Sequence, residues 1–285
     1  MTSRLAPLRR LLPVLALLAG LTATPAARAE VTTERVSYDH LGELYYGWMV
    51  QDTTLPTPRP AVILFHEWWG LEEFALQEAR ELAELGYVVF AADLYGIAPS
   101  GDNVVAETPE EAARLSGRLF RDRQWMRGLA TAAYLATAAQ DSVDATRIAA
   151  MGFGFGATVA LELARAGTNI DATICLHGSL HNPTPESAER IRGEVLVLQG
   201  TEDPMVPRED LEAFEAEMDA ADKPYQLVLI SGAEHAFSNR RADFWEIPGA
   251  SYDRRADEIA TDQVARFLER TLGGPTQGRE RRVDE

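Results

Sequence analysis

The chain has 285 residues, 44 acidic against 27 basic side chains, a formal charge of -17 and one cysteine. A single cysteine excludes an intramolecular disulfide framework, and hydrophobic (46%) and charged (25%) fractions of ordinary globular size exclude disorder along most of the chain. So acidic a chain repels phosphate backbones and anionic lipid, so nucleic acid and membrane surfaces are poor partners.

Arg4, Arg9 and Arg10 precede an apolar run from Leu11 to Leu21, and Ala27-Arg28-Ala29 has the small-x-small pattern that signal peptidase accepts. The run is shorter than the roughly 20 residues that span a bilayer and contains Pro13 and Gly20. Residues 1–29 therefore read as a signal peptide and the protein as exported, to a bacterial periplasm or beyond; Arg9-Arg10 also raises a twin-arginine route. Cleavage after Ala29 removes four arginines and no acid, taking -17 to -21.

Residues 30–272 read as one α/β domain. Val36 to Tyr38 and Glu43 to Val50 alternate like an antiparallel pair, and Ala61 to Phe65 is a continuous apolar run of the kind found in buried parallel strands. A helix is predicted over Glu72 to Leu85, ending at Gly86, then a strand over Tyr87 to Ala92. Thr108-Pro109-Glu110-Glu111 is a capping box opening a helix toward Phe120, and a further helix fills Gln124 to Ala139.

Strands follow at Arg147 to Met151, Ala172 to Leu176, Glu194 to Gln199 and Gln226 to Ile230. Helices fall at Phe155 to Ala166, Pro207 to Ala221 and Ile259 to Leu272. This alternation predicts a mostly parallel sheet flanked by helices on both faces. Residues 273–285 lack apolar periodicity and read as a flexible tail.

In such a sheet the loops at the carboxyl ends of the strands share one edge, where chemistry is usually placed. Three segments fall there: Met151-Gly152-Phe153-Gly154-Phe155-Gly156-Ala157, Gly200-Thr201-Glu202-Asp203, and Gly232-Ala233-Glu234-His235-Ala236-Phe237. A sharp strand-to-helix turn, an acid and a histidine, in that order, is the chain order of an α/β-hydrolase triad.

From about Tyr38 to Leu272 the sequence resembles the dienelactone hydrolase family. The resemblance is carried by Phe65-His66-Glu67-Trp68-Trp69-Gly70, Leu85-Gly86-Tyr87, Ala92-Asp93-Leu94-Tyr95-Gly96, Ile148-Ala149-Ala150-Met151-Gly152, Leu176-His177-Gly178, Asp203-Pro204 and His235-Ala236-Phe237-Ser238-Asn239. It implies an α/β-hydrolase fold and hydrolysis of an ester or lactone, without a cofactor or metal. It also implies that Asp203 orients His235, that Glu67 shares their pocket, and that the N–H groups of Phe155 and Trp68 form an oxyanion hole.

The family pattern Gly-x-Cys-x-Gly places a nucleophile at the centre of the turn, but here the centre is Gly154. Phe153 and Phe155 are inert, Thr158 lies a turn into the helix, and Cys175 reads as a small buried side chain inside a strand. A covalent acyl-enzyme at position 154 is therefore closed. Three explanations remain: a pseudo-hydrolase that binds a small molecule, an enzyme whose Asp203-His235 pair activates water, or a substitution introduced by engineering or error.

Weaker signals have plain alternatives. Gly152-x-Gly154-x-x-Ala157 spells a dinucleotide fingerprint, but Asp171, the acid at the required distance, precedes its strand and falls at the wrong edge. His177 and His181 lie on a loop without an evident third ligand, so a structural or pocket-wall role outweighs a metal. His66 lines the site or bonds backbone, and Trp69, beside Trp68, walls an apolar pocket or packs. The family's small acidic substrates call for a cationic clamp, for which Arg240 and Arg123 are the candidates.

Overall fold

The structure, a computed structural model, describes residues 30–274, so the expected signal peptide and all but the first two residues of the expected tail lie outside the described residues. Among the described residues there are eight strands: β1 (Val31–His40), β2 (Glu43–Asp52), β3 (Arg59–Phe65), β4 (Val88–Ala92), β5 (Val143–Phe153), β6 (Ala172–Leu176), β7 (Glu194–Gly200) and β8 (Tyr225–Ile230). Six helices join them: α1 (Glu73–Glu84), α2 (Pro109–Arg121), α3 (Arg123–Ala138), α4 (Phe155–Arg165), α5 (Arg208–Ala220) and α6 (Arg254–Leu272). The strands form one sheet in the order β1-β2-β4-β3-β5-β6-β7-β8. β2 runs antiparallel to β1 and β4, and every other neighbouring pair is parallel.

The central strands show no polar alternation because both of their faces are buried. Ile63 and Phe65 of β3 enter one core layer with α2, α3, α4 and α5, while Val62 and Leu64 enter the other with α1 and α6. All four are fully buried, and each such side chain contributes roughly 1.5–3 kcal/mol of hydrophobic burial. The first hairpin turns at Leu41 (φ 53°) and Gly42 (φ 84°), the two positive φ values that a tight two-residue hairpin loop favours.

Several boundaries lie beyond the sequence expectation, β5 among them, which starts at Val143 and not at Arg147; two have plain physical reasons. β1 extends back to Val31 although much of it is exposed, because the ladder to the buried residues of β2 sustains it. α6 begins five residues before Ile259, because the Asp253 carboxylate accepts from the N–H groups of Arg255 and Ala256. Two 3-10 turns, Pro185–Arg190 and Ala242–Trp245, are additional to the expected elements. The carboxyl ends of β3, β5 and β7 and the loop after β8 meet at one edge of the sheet.

Candidate active site

β5 ends at Phe153 and α4 begins at Phe155, so the chain reverses at Gly154, with φ 51° and ψ -113°. The three glycines of this turn have different reasons to be there. A Cβ at Gly152 would overlap the Gly156 carbonyl, and one at Gly156 would overlap the Phe65 carbonyl. Those two are needed for the close approach of β5, α4 and β3. At Gly154 a Cβ would meet only ordinary contacts, 3.6 Å from His235 Nε2 and 3.8 Å from Glu67 Oε1. The turn thus has the strained geometry that presents a nucleophile, aimed at a histidine, with hydrogen in place of the side chain.

His235 is held from both sides. Its Nδ1 lies 2.9 Å from Asp203 Oδ2, and a proton donated along that bond leaves Nε2 as an acceptor facing Gly154. Its backbone is clamped by the following loop: His235 N donates to Gly249 O at 3.0 Å, and Ser251 N donates to His235 O at 3.0 Å. The Asp203 carboxylate, buried at the end of β7, also accepts from Gln199 Nε2 (2.6 Å) and Met205 N (2.8 Å). Three donors thus converge on its two oxygens and fix it against the imidazole.

Glu67 sits opposite His235, only 5% exposed, and its Oε2 accepts from Asn239 Nδ2 at 2.7 Å. Burial pushes its carboxyl up to about 7, which nearby His235 and the Asn239 hydrogen bond offset only in part. Phe155 N–H opens α4, where no preceding turn supplies an acceptor, and Trp68 follows Glu67 at the end of β3. Both residues line the cavity onto which Gly154 and His235 face, so an oxyanion hole can be assembled there without any side chain at position 154.

That cavity has a volume of about 210 Å³. Trp69 reaches it, as the sequence allowed, and stacks on Trp245 with ring centroids 3.8 Å apart and planes at 16°. His66 does not line it. Its Nδ1 faces Glu67 O at 2.5 Å while Nε2 accepts from Leu94 N at 3.1 Å, so the ring is neutral, bonds backbone, and is lowered to about 4 by burial.

The proposed cationic clamp is not assembled. Arg240 pairs with Glu81 (3.2 Å) and Asp257 (3.7 Å) outside the cavity. Arg123 pairs with buried Glu162 at 3.6 Å and lies over the Phe120 ring. Acidic neighbours hold both cations elsewhere.

Cys175 is buried in β6, its thiol pushed up to about 12 by burial. His177 is buried beneath the site with its ring centroid 5.4 Å from that of His235 and its Nε2 2.8 Å from Ser238 Oγ, whereas His181 is exposed. Asp171 accepts from Ile148 N at the opposite edge of the sheet. Gln199, Asn239 and Trp245 are among the residues of the site that had no individual role in the sequence reading. Asn239 lies inside a recognised segment; Trp245 is carried by a 3-10 turn that left no pattern.

The model of the dienelactone hydrolase family matches residues 48–272. A Saccharolobus solfataricus protein provisionally named a carboxymethylenebutenolidase is 29% identical over 249 residues, covering 76% of this chain and 91% of its own length. An Aquifex aeolicus protein with the same provisional name is 27% identical over 203 residues, covering 66% and 82%. Among solved structures, a dienelactone hydrolase-like promiscuous phosphotriesterase from metagenomic libraries superposes with a TM-score of 0.81 at 31% identity, covering 86% of this chain and 100% of that one. With its mostly parallel sheet and its turn, acid and histidine on one edge, the chain belongs to the dienelactone hydrolase family, within the α/β-hydrolase superfamily.

Proposed function

We propose that this protein hydrolyses carboxylic esters or lactones by direct attack of water, held in the space that Gly154 leaves between His235 and Glu67. The carrying observation is the pair of distances from the Cβ position at 154, 3.6 Å to His235 Nε2 and 3.8 Å to Glu67 Oε1, with nothing closer. A water displaced from that position toward the two side chains, clear of Gly154 Cα, comes within hydrogen-bond reach of Nε2 and Oε1 and keeps a lone pair for a carbonyl carbon. His235 Nε2 takes one proton as the water oxygen bonds to that carbon, and the carbonyl electron pair moves onto oxygen, opposite the N–H groups of Phe155 and Trp68. Collapse expels the alcohol oxygen, which receives the proton from His235. Asp203 stabilises the imidazolium between these steps.

The relatives' provisional name, carboxymethylenebutenolidase, and the family itself support ester or lactone chemistry. Without a nucleophilic side chain there is no acyl-enzyme, so turnover is slow for this family. A second reading, a binding protein that kept the cavity without the chemistry, is favoured by the same glycine. Hydrolysis of p-nitrophenyl butyrate by the purified protein and by His235→Ala separates them. The water mechanism predicts multiple turnovers without a burst, reduced roughly a hundredfold or more in the variant. No turnover above background, with a ligand still bound, would leave the binding protein.

A further inference from the structure

We infer that the cavity selects uncharged substrates with an aromatic or bulky apolar group, seated against the Trp69–Trp245 pair, and rejects substrates bearing a carboxylate. This names the substrate class for the site proposed above and rests on that reading. It starts from the charges that face the cavity. Among the described residues that line it there is no arginine or lysine, and the ionisable ones are Glu67 and His235. The two arginines with the chemistry to serve an anion, Arg240 and Arg123, are engaged by Glu81 and Asp257 in one case and by Glu162 in the other.

A substrate carboxylate entering this space would lose its water and gain no counter-ion, while facing a buried glutamate. An apolar group finds the opposite. Trp68 packs against Trp69 at 5.1 Å, Trp69 stacks on Trp245 at 3.8 Å, and Trp245 packs against Phe244 at 5.0 Å. These rings form a continuous aromatic row from the turn after Glu67 to a phenylalanine that is 71% exposed, in which Trp69 is buried and Trp68, Trp69 and Trp245 line the cavity. Flat or bulky apolar groups gain both burial and ring stacking along it.

The wall is also tied to the chemistry. Trp245 closes the 3-10 turn Ala242–Trp245 within the same loop whose Gly249 and Ser251 clamp the His235 backbone. A group packed on Trp245 therefore bears on the segment that positions the base.

The test measures binding apart from turnover. Benzylacetone and hydrocinnamate have the same phenethyl group, one ending in a neutral methyl ketone and the other in a carboxylate. Quenching of tryptophan fluorescence at about pH 8 is expected to show the ketone bound at least roughly tenfold more tightly. Trp245→Ala is expected to weaken the ketone roughly fivefold or more and leave the acid unchanged. Met205→Arg, a change at a partly exposed lining position, is expected to raise affinity for the acid alone.

Equal or tighter binding of hydrocinnamate to the wild-type protein, or indifference of the ketone to both Trp245→Ala and Trp245→Phe, overturns the inference. The ketone preference in a protein that hydrolyses nothing supports this inference and defeats only the hydrolytic reading. Conversely, p-acetoxybenzoate hydrolysed as fast as its methyl ester defeats this inference and leaves the hydrolytic reading standing.

Discussion

Restoring a thiol at the centre of the turn, by Gly154→Cys, should convert the site to covalent catalysis. The Cβ meets nothing closer than 3.6 Å, so the side chain enters without displacing a neighbour, and its sulfur can approach His235 Nε2. The cost is conformational: a non-glycine residue at φ 51°, ψ -113° is strained, by about 1–3 kcal/mol. For a domain of this size that lowers Tm by roughly 2–12 °C. In return the thiolate, generated by His235, replaces water as the attacking group, and a gain of about a thousandfold in kcat/KM is expected, or ~4 kcal/mol of transition-state stabilisation. Stopped-flow hydrolysis of p-nitrophenyl butyrate should show a burst, and intact-protein mass spectrometry an acyl adduct on residue 154. A folded variant with the lowered Tm but neither burst nor adduct would refute the geometry, because the turn would then not be aimed at the histidine.

Two further substitutions probe the groups around that turn. In Glu67 the folded carboxyl keeps its proton up to about pH 7, while the unfolded one releases it near its ordinary value of 4.5. Between those values the unfolded state binds fewer protons, so stability falls as pH rises and levels off above 7, by about 3 kcal/mol for this group. Glu67→Gln removes that term, and urea unfolding at about pH 4 and about pH 8 should show the variant improving relative to wild type by about that amount; parallel curves would contradict the assignment. At the C-terminal end of α4, Arg165 bonds Glu162, Glu217 and the Leu180 carbonyl with no exposure. Arg165→Met leaves Glu217 without this ion pair and should cost about 3–5 kcal/mol. That is a fall of roughly 6–20 °C in Tm by calorimetry; a fall of less than about 2 °C would show the network is not stabilising.

What the sequence carried and what it hid follow from the range of the interactions concerned. Strands such as Ala172–Leu176 were legible because burial on both faces leaves an uninterrupted apolar run. The convergence of Gly154, Asp203 and His235 was legible because parallel strands send their carboxyl ends to one edge. The partners of an arginine were not. Arg240 and Arg123 have the right chemistry for an anion clamp, but Glu81 and Glu162, 159 and 39 residues away in the chain, claim them. Trp245 was hidden for the same reason: it meets Trp69 only because the loop after β8 folds back over the end of β3. His66 was left open between pocket and backbone, and the Leu94 N–H, supplied by the segment after β4, decides for backbone.

The central claim, that water attacks from the space left by Gly154, is tested most directly by Gly154→Ala. Alanine imposes the same backbone strain as cysteine but supplies no nucleophile, and its methyl, 3.6 Å from His235 Nε2, leaves no room for a water between the turn and that nitrogen. With the methyl ester of p-acetoxybenzoate as substrate and folding checked by thermal melt, kcat/KM is expected to fall roughly a hundredfold or more, to the level of His235→Ala. A folded Gly154→Ala protein that hydrolyses this ester as fast as wild type would contradict the account, because the attacking water would then have to lie elsewhere.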